Sequence, residues 1–143
     1  MTFSIITATY NREDTIARSI ESIKSQSYSK IQHIVIDGKS KDNSISIIKS
    51  LLDDDDIFVS EPDYGIYDAL NKGLKHASGE IIGFLHSDDL YYDSHVLEKV
   101  AKAFLDDDID VVYGDVSFFE EENINFIKRF YKSDKLSRKN LAW

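Results

Sequence analysis

The sequence predicts an α/β domain: a mainly parallel sheet with helices on both faces. Apolar residues alternate along the chain between the two-residue period of strands and the 3.6-residue period of helices. The connections between these segments are short, the pattern of successive βαβ units. At 143 residues the chain can bury a hydrophobic core without staples, and residues 1–143 are expected to form one domain.

Phe3–Thr9 (FSIITAT) reads as the first strand. Asn11 then stands where an N-cap belongs, Asp14 falls in a first turn, and Ile16, Ile20 and Ile23 mark one helical face. His33–Asp37 is a second, buried strand. Asp42 is expected to cap a second helix with Ile45, Ile48 and Leu52 inward, and Ile57–Ser60 is a short third strand. Ile66, Ala69, Leu70 and Ala77 outline a third helix, with Gly79 as its C-terminal cap. Glu80–Leu85 is the fourth strand, and Ser94 caps a fourth helix carrying Leu97, Val100, Ala101 and Phe104. Asp110–Gly114 reads as a fifth strand that Val116–Phe119 extends, and Ile124–Tyr131 is a weaker strand.

Right-handed crossovers put the carboxyl ends of parallel strands on one rim, where such sheets bind ligands. Thr7, Thr9, Tyr10 and Asn11 are expected there from strand one, Asp37 from strand two, Glu61 and Asp63 after strand three, and Asp88 and Asp89 after strand four. Asp53–Asp56 precedes a strand, so it falls on the opposite rim as a solvated loop.

The composition excludes several classes. Without cysteine there is no disulfide, thiolate metal site or cysteine nucleophile, which is compatible with a reducing cytoplasm. No apolar run approaches the ~18 residues that span a bilayer. A net charge of −9 argues against a nucleic-acid polymer as partner, because backbone phosphates repel an acidic surface. Lys128, Arg129, Lys132, Lys135, Arg138 and Lys139 nevertheless crowd the C-terminal end against one acid, Asp134. They read first as a solvated segment and second as a surface for an anionic headgroup.

The richest stretch is Ser60–Gly73 (SEPDYGIYDALNKG), followed by an apolar strand ending in His86-Ser87-Asp88-Asp89. Adjacent aspartates at a strand-to-loop junction can diverge, one toward a ribose hydroxyl and one toward a hard divalent ion. Such an ion takes one or two carboxylates plus phosphate oxygens, and it neutralises charge growing on a diphosphate leaving group. An isolated Asp-Asp pair more often decorates a loop; here it ends a buried strand in a βαβ series.

That stretch, with Ser4–Arg12 (SIITATYNR) and Val35–Asp42 (VIDGKSKD), resembles the family 2 glycosyltransferases, in particular the subgroup that assembles bacterial surface polysaccharides. The resemblance runs in order from residue 3 to about 119. It implies the Rossmann-like, nucleotide-binding half of a GT-A fold. The implied activity is inverting transfer of a sugar from a nucleotide diphosphate-sugar to a glycan or lipid-linked acceptor, with Mg²⁺ or Mn²⁺ as cofactor. The implied location is the cytoplasm, with contact at the inner membrane face as a variant. Carried over by position, Thr9 and Tyr10 border the nucleotide, Tyr10 near the base, and Asp37 contacts base or ribose. Asp63 and Lys72 line the diphosphate and sugar pocket, Asp88 faces the ribose, and Asp89 holds the metal.

The chain departs from the family pattern at Asp37-Gly38, where two acids in a row are common, at Lys39, and at His86, where asparagine is frequent. His86 reads as a core-edge histidine bonded to backbone. The family continues well past its fifth strand, so the catalytic base is expected beyond Trp143, and Glu120–Glu122 read as a solvated turn. Two other classes stand beside the enzyme. One is a non-catalytic nucleotide-sugar-binding module or inactive truncated product. The other is a receiver-type signalling domain, disfavoured because Asp63 lies in a loop after Pro62 and no lysine follows the fifth strand. Apolar surface around Phe118, Phe119, Phe126, Phe130 and Trp143 is expected to be exposed.

Overall fold

In a computed structural model, residues 1–120 and 123–133 are described. The chain divides into two compact units, Met1–Lys102 and Ala103–Trp143. The first holds strands β1 (Phe3–Thr9), β2 (Ile31–Asp37), β3 (Ile57–Ser60) and β4 (Ile81–Phe84), with helices α1 (Ile16–Lys24), α2 (Ser44–Leu51) and α3 (Ile66–His76) between them. Helix α4 (Val96–Ala103) follows β4. The sheet order is β3-β2-β1-β4, and every pairing is parallel.

The central strands are apolar on both faces because helices cover both. All seven residues of β1 are buried. On one side Ile6, Ala8, Ile34 and Ile36 pack with Ala69 of α3. On the other, Val35 packs with Ile16 and Ile20 of α1 and Ile48 of α2. Register places Thr9 beside Asp37, and Asp37 beside Ser60, so the carboxyl ends of β1, β2 and β3 finish level.

Several local expectations change. Asn11 does not cap α1; it takes a left-handed conformation (φ 51°), and its Oδ1 accepts the Lys41 N–H at 2.8 Å. The helix begins five residues later. Asp42 does bond the first N–H of α2, at Ser44 (3.0 Å), and Ile48 and Leu52 pack inward as expected, but Ile47 and Leu51 join them in place of Ile45. Gly79 is not a helix cap, since α3 ends at His76 with Ala77 extended. It is a close-approach residue: a Cβ there would stand 2.6 Å from the Thr2 carbonyl oxygen. Asp93, in place of Ser94, takes the His95 N–H ahead of α4 (2.7 Å). Thr7 is not on the rim; it is buried, with Oγ1 3.0 Å from His33 Nε2.

The second unit contains an antiparallel hairpin, β5 (Val116–Glu120) and β6 (Asn123–Tyr131). Asp110–Gly114, expected as a strand, is irregular, with Val111 and Tyr113 exposed. Its β-forming residues find no ladder there, and β propensity reports fit to a half-buried pleated surface more than a backbone preference. Phe118, Phe126 and Phe130 are exposed as expected, whereas Phe119 is half-buried. Trp143, Asp134, Lys135, Arg138, Lys139, Glu121 and Glu122 lie outside the described residues. Among the described residues no helix is long and apolar enough to cross a membrane.

Candidate active site

A cleft of 370 Å³ opens at the carboxyl ends of the strands, and all its lining belongs to the first unit. Ala8, Thr9, Tyr10 and Arg12 come from the end of β1, Asp63 and Gly65 from the loop after β3, Ile66 and Ala69 from α3, and His86, Ser87 and Asp88 from the turn after β4. Of the residues singled out by sequence, Thr9, Tyr10, Asp63 and Asp88 meet in this cleft, and Asp89 shares the Asp88 turn.

Thr9 is 5% exposed, and its Oγ1 has no partner among the described residues. A buried hydroxyl without a partner costs free energy, so its position at a ligand-sized opening is informative. Tyr10, by contrast, is half exposed.

The turn after β4 is closed by backbone: the Asp89 N–H donates to the His86 carbonyl at 3.0 Å, and Ser19 Oγ donates to the same oxygen at 2.9 Å. No side chain donates to either carboxylate among the described residues; Asp89 has only the His86 backbone as a donor. Partial burial, and then the neighbouring Asp88 charge, hold the Asp89 carboxyl above its ordinary range. The neighbouring negative charge that raises the proton affinity of Asp89 also attracts a cation. Among the described residues no group of three or more His, Cys, Asp or Glu could hold a metal. An ion held by these two carboxylates would have to complete its shell with phosphate oxygens and water.

Two sequence-derived candidates sit elsewhere. Asp37 is 0% exposed. Its carboxylate accepts the Ser40 N–H (3.0 Å), the Ser40 hydroxyl and the Ser60 hydroxyl (2.6 Å). A group so enclosed cannot touch a base or ribose; it ties the ends of β2 and β3 together. Lys72 does not line the cleft either. Its ammonium donates to the Pro62 carbonyl (2.7 Å) and pairs with Glu61 (3.0 Å) and Asp68 (3.2 Å). The Glu61 bond leads in raising its pKa, followed among the raising contacts by that to Asp68. Lys72 thus fastens the loop after β3 onto α3.

His86 also differs from expectation: it is among the residues that line the cleft, and its Nδ1 is buried without a partner among the described residues. Sequence reasoning missed Arg12, Ser87, Gly65 and Ile66. Arg12 had a signal, a cation three residues past a parallel strand on the ligand rim. Ile66, expected to face inward, is 47% exposed at the cleft; as the first residue of α3 it shares the face of Ala69 and Gly73 but stands at that face's open end.

Residues 4–141 match the family model for Glycosyl transferase family 2. The chain belongs to that family. An uncharacterised glycosyltransferase of Mycobacterium tuberculosis is 39% identical over 103 residues, which are 71% of this chain and 39% of the relative. The Escherichia coli UDP-Glc:alpha-D-GlcNAc-diphosphoundecaprenol beta-1,3-glucosyltransferase WfgD is 32% identical over 139 residues, 96% of this chain and 54% of its own. Among solved structures, the mannosyltransferase PcManGT from Pyrobaculum calidifontis, in complex with GDP-Man and Mn²⁺, superposes with a TM-score of 0.65. That match is at 27% identity over 86% of this chain and 37% of that one. This family 2 chain thus spans about half, or less, of the length of the proteins it matches, and its sheet is that of a GT-A glycosyltransferase.

Proposed function

We propose that the cleft binds a nucleotide diphosphate-sugar, and that the protein transfers the sugar with inversion to a glycan or lipid-linked acceptor in bacterial surface-polysaccharide synthesis. One observation carries this reading. A single cleft is lined by Thr9 with its unpartnered hydroxyl, the half-exposed Tyr10, Arg12 and, from the turn after β4, Asp88, whose neighbour in that turn is Asp89. That mixture suits a ligand with a flat ring, hydroxyls and a metal-bound diphosphate.

In this reading Thr9 and Tyr10 border the nucleoside, Asp88 takes a ribose hydroxyl, and Arg12 faces the diphosphate. Asp89 would hold Mg²⁺ or Mn²⁺, which supplies electrostatic stabilisation of the departing diphosphate. Asp37 and Lys72 act by position, fixing the strand ends and the loop that carries Asp63. Transfer breaks the bond from the anomeric carbon to the diphosphate oxygen and forms one to the acceptor oxygen, whose proton must pass to a base. We assign no base, since Asp88 and Asp89 serve the donor. The site works at the cytoplasmic side of the membrane.

Calorimetric titration of the full chain with UDP, GDP and dTDP, with and without Mn²⁺, tests the donor site. Metal-dependent binding that Asp89→Ala abolishes is expected. A folded chain that binds none of the three overturns the reading.

A further inference from the structure

The Gly38 neighbourhood is fixed from several directions. The Gly38 N–H donates to the Thr9 carbonyl at 2.9 Å, and the Glu61 N–H donates to the Asp37 carbonyl at 3.0 Å. The following loop is equally constrained, with Lys72 on the Pro62 carbonyl and the Gly65 N–H on Asp63 Oδ1 at 2.9 Å. That last bond sets the carboxylate's rotation and leaves Oδ2 on its other side. A Cβ added to Gly38 would stand 2.6 Å from Asp63 Oδ2 and 3.3 Å from Cδ2 of the Tyr10 ring. Gly38 is therefore the empty space across which a carboxylate oxygen and an exposed aromatic ring lie side by side. The same cleft holds the buried, unpartnered Thr9 Oγ1 as an independent sign of a ligand.

A carboxylate oxygen accepts hydrogen bonds and repels phosphate, so the diphosphate lies away from this end of the cleft. A half-exposed aromatic ring close to that acceptor fits a planar heterocycle that carries a donor at its edge. Resting on the donor-site reading above, we propose that Asp63 selects the nucleobase. Its Oδ2, beside Tyr10 and over Gly38, accepts the ring N–H adjacent to a carbonyl in uracil, thymine or guanine. Cytosine and adenine present a ring-nitrogen lone pair at the corresponding edge, which a carboxylate repels. The acid that recognises the base is thus supplied by the loop after β3, and the glycine after Asp37 makes room for it.

Calorimetry on the full chain with Mn²⁺ and UDP, dTDP, GDP, CDP and ADP tests this. Wild type is expected to bind at least one of the first three about tenfold or more tightly than CDP or ADP, the scale of one charge-assisted hydrogen bond. Asp63→Asn keeps an oxygen for the Gly65 N–H and puts an N–H where Oδ2 stood. It should lose about tenfold for the preferred nucleotide, while CDP is unchanged or tighter, so the preference collapses. Gly38→Ala should weaken the preferred nucleotide in the same direction with its melting temperature retained.

Equal loss for all five nucleotides in Asp63→Asn would mean a ribose contact and overturn the proposal, as would an unchanged preference. Wild type that binds UDP yet holds CDP and ADP equally well overturns the base selection alone. Wild type that binds none of the five, while folded, overturns the donor site itself.

Discussion

Two strand ends on the same rim carry the same residue type and treat it in opposite ways. At the end of β2, the Asp37 carboxylate is sealed from solvent and takes donors from Ser40 and Ser60. In the turn after β4, Asp88 and Asp89 take no side-chain donor from the described residues, and Asp89 is held above its ordinary pKa by partial burial and by its neighbour's charge, which the one backbone donor at His86 only offsets. A buried acceptor surrounded by protein donors is scaffold, because its interactions are complete. Adjacent carboxylates without side-chain donors carry an electrostatic cost that a bound cation removes. The contrast separates what builds this site from what the site offers.

The strongest way to break that contrast is to remove the scaffold acid. Asp37→Ala leaves the buried Ser40 N–H and hydroxyl without an acceptor and frees the end of β3. We expect a loss of about 3 kcal/mol, read as a lower urea midpoint. Asp37→Asn should recover only part of this, because its amide N–H₂ would face a donor. If Asp37→Ala instead melts like wild type, the enclosed carboxylate is not what holds β2 to β3.

How far the sequence foretold this depends on the range of the interaction. The strands, the inward faces of α1 and α3 and the ligand rim follow from local periodicity. The Asp37–Ser40 bond spans three residues, a spacing open to local turn chemistry. The Ser60 bond requires the β2–β3 register, which no local pattern contains, so Asp37 looked as available as Asp88. Lys72 misled in the same way: its three acceptors include Glu61 and Pro62, ten or more residues earlier. Gly38 was legible as a departure from a family pattern. That it makes room for Asp63 appears only when the two loops are placed together. Asp110–Gly114 failed for the complementary reason, a strong local strand signal without a ladder to join.

A second polar group of β2 sharpens the comparison through pH. His33 is buried; burial first and the Lys24 charge second lower its pKa from 6.5 to about 4. The folded chain keeps His33 neutral while the unfolded chain takes up a proton, so stability is full above pH ~6.5 and declines as pH falls toward 4. The full span is on the order of 3 kcal/mol. Urea midpoints measured from pH 7.5 to 4 should fall for wild type, and His33→Gln should flatten part of that slope. Parallel slopes in the two proteins would mean that His33 is not a source of acid sensitivity.

The smallest effect on stability, and the largest on binding, belongs to the β4 end. Because the folded state holds the Asp89 carboxyl above its ordinary pKa, ionised Asp89 disfavours folding once pH exceeds that raised value. Asp89→Asn removes the charge and leaves the backbone bond to the His86 carbonyl in place. Its melting temperature without ligand should therefore match wild type or rise slightly, a change within ~0.5 kcal/mol. With Mn²⁺ and the preferred nucleotide at about 100 times its dissociation constant, wild type should gain ~2.7 kcal/mol of apparent stability, and Asp89→Asn should gain almost none. A variant that melted well below wild type in the absence of ligand would place Asp89 with Asp37 among the scaffold acids, and the difference between the two strand ends would disappear.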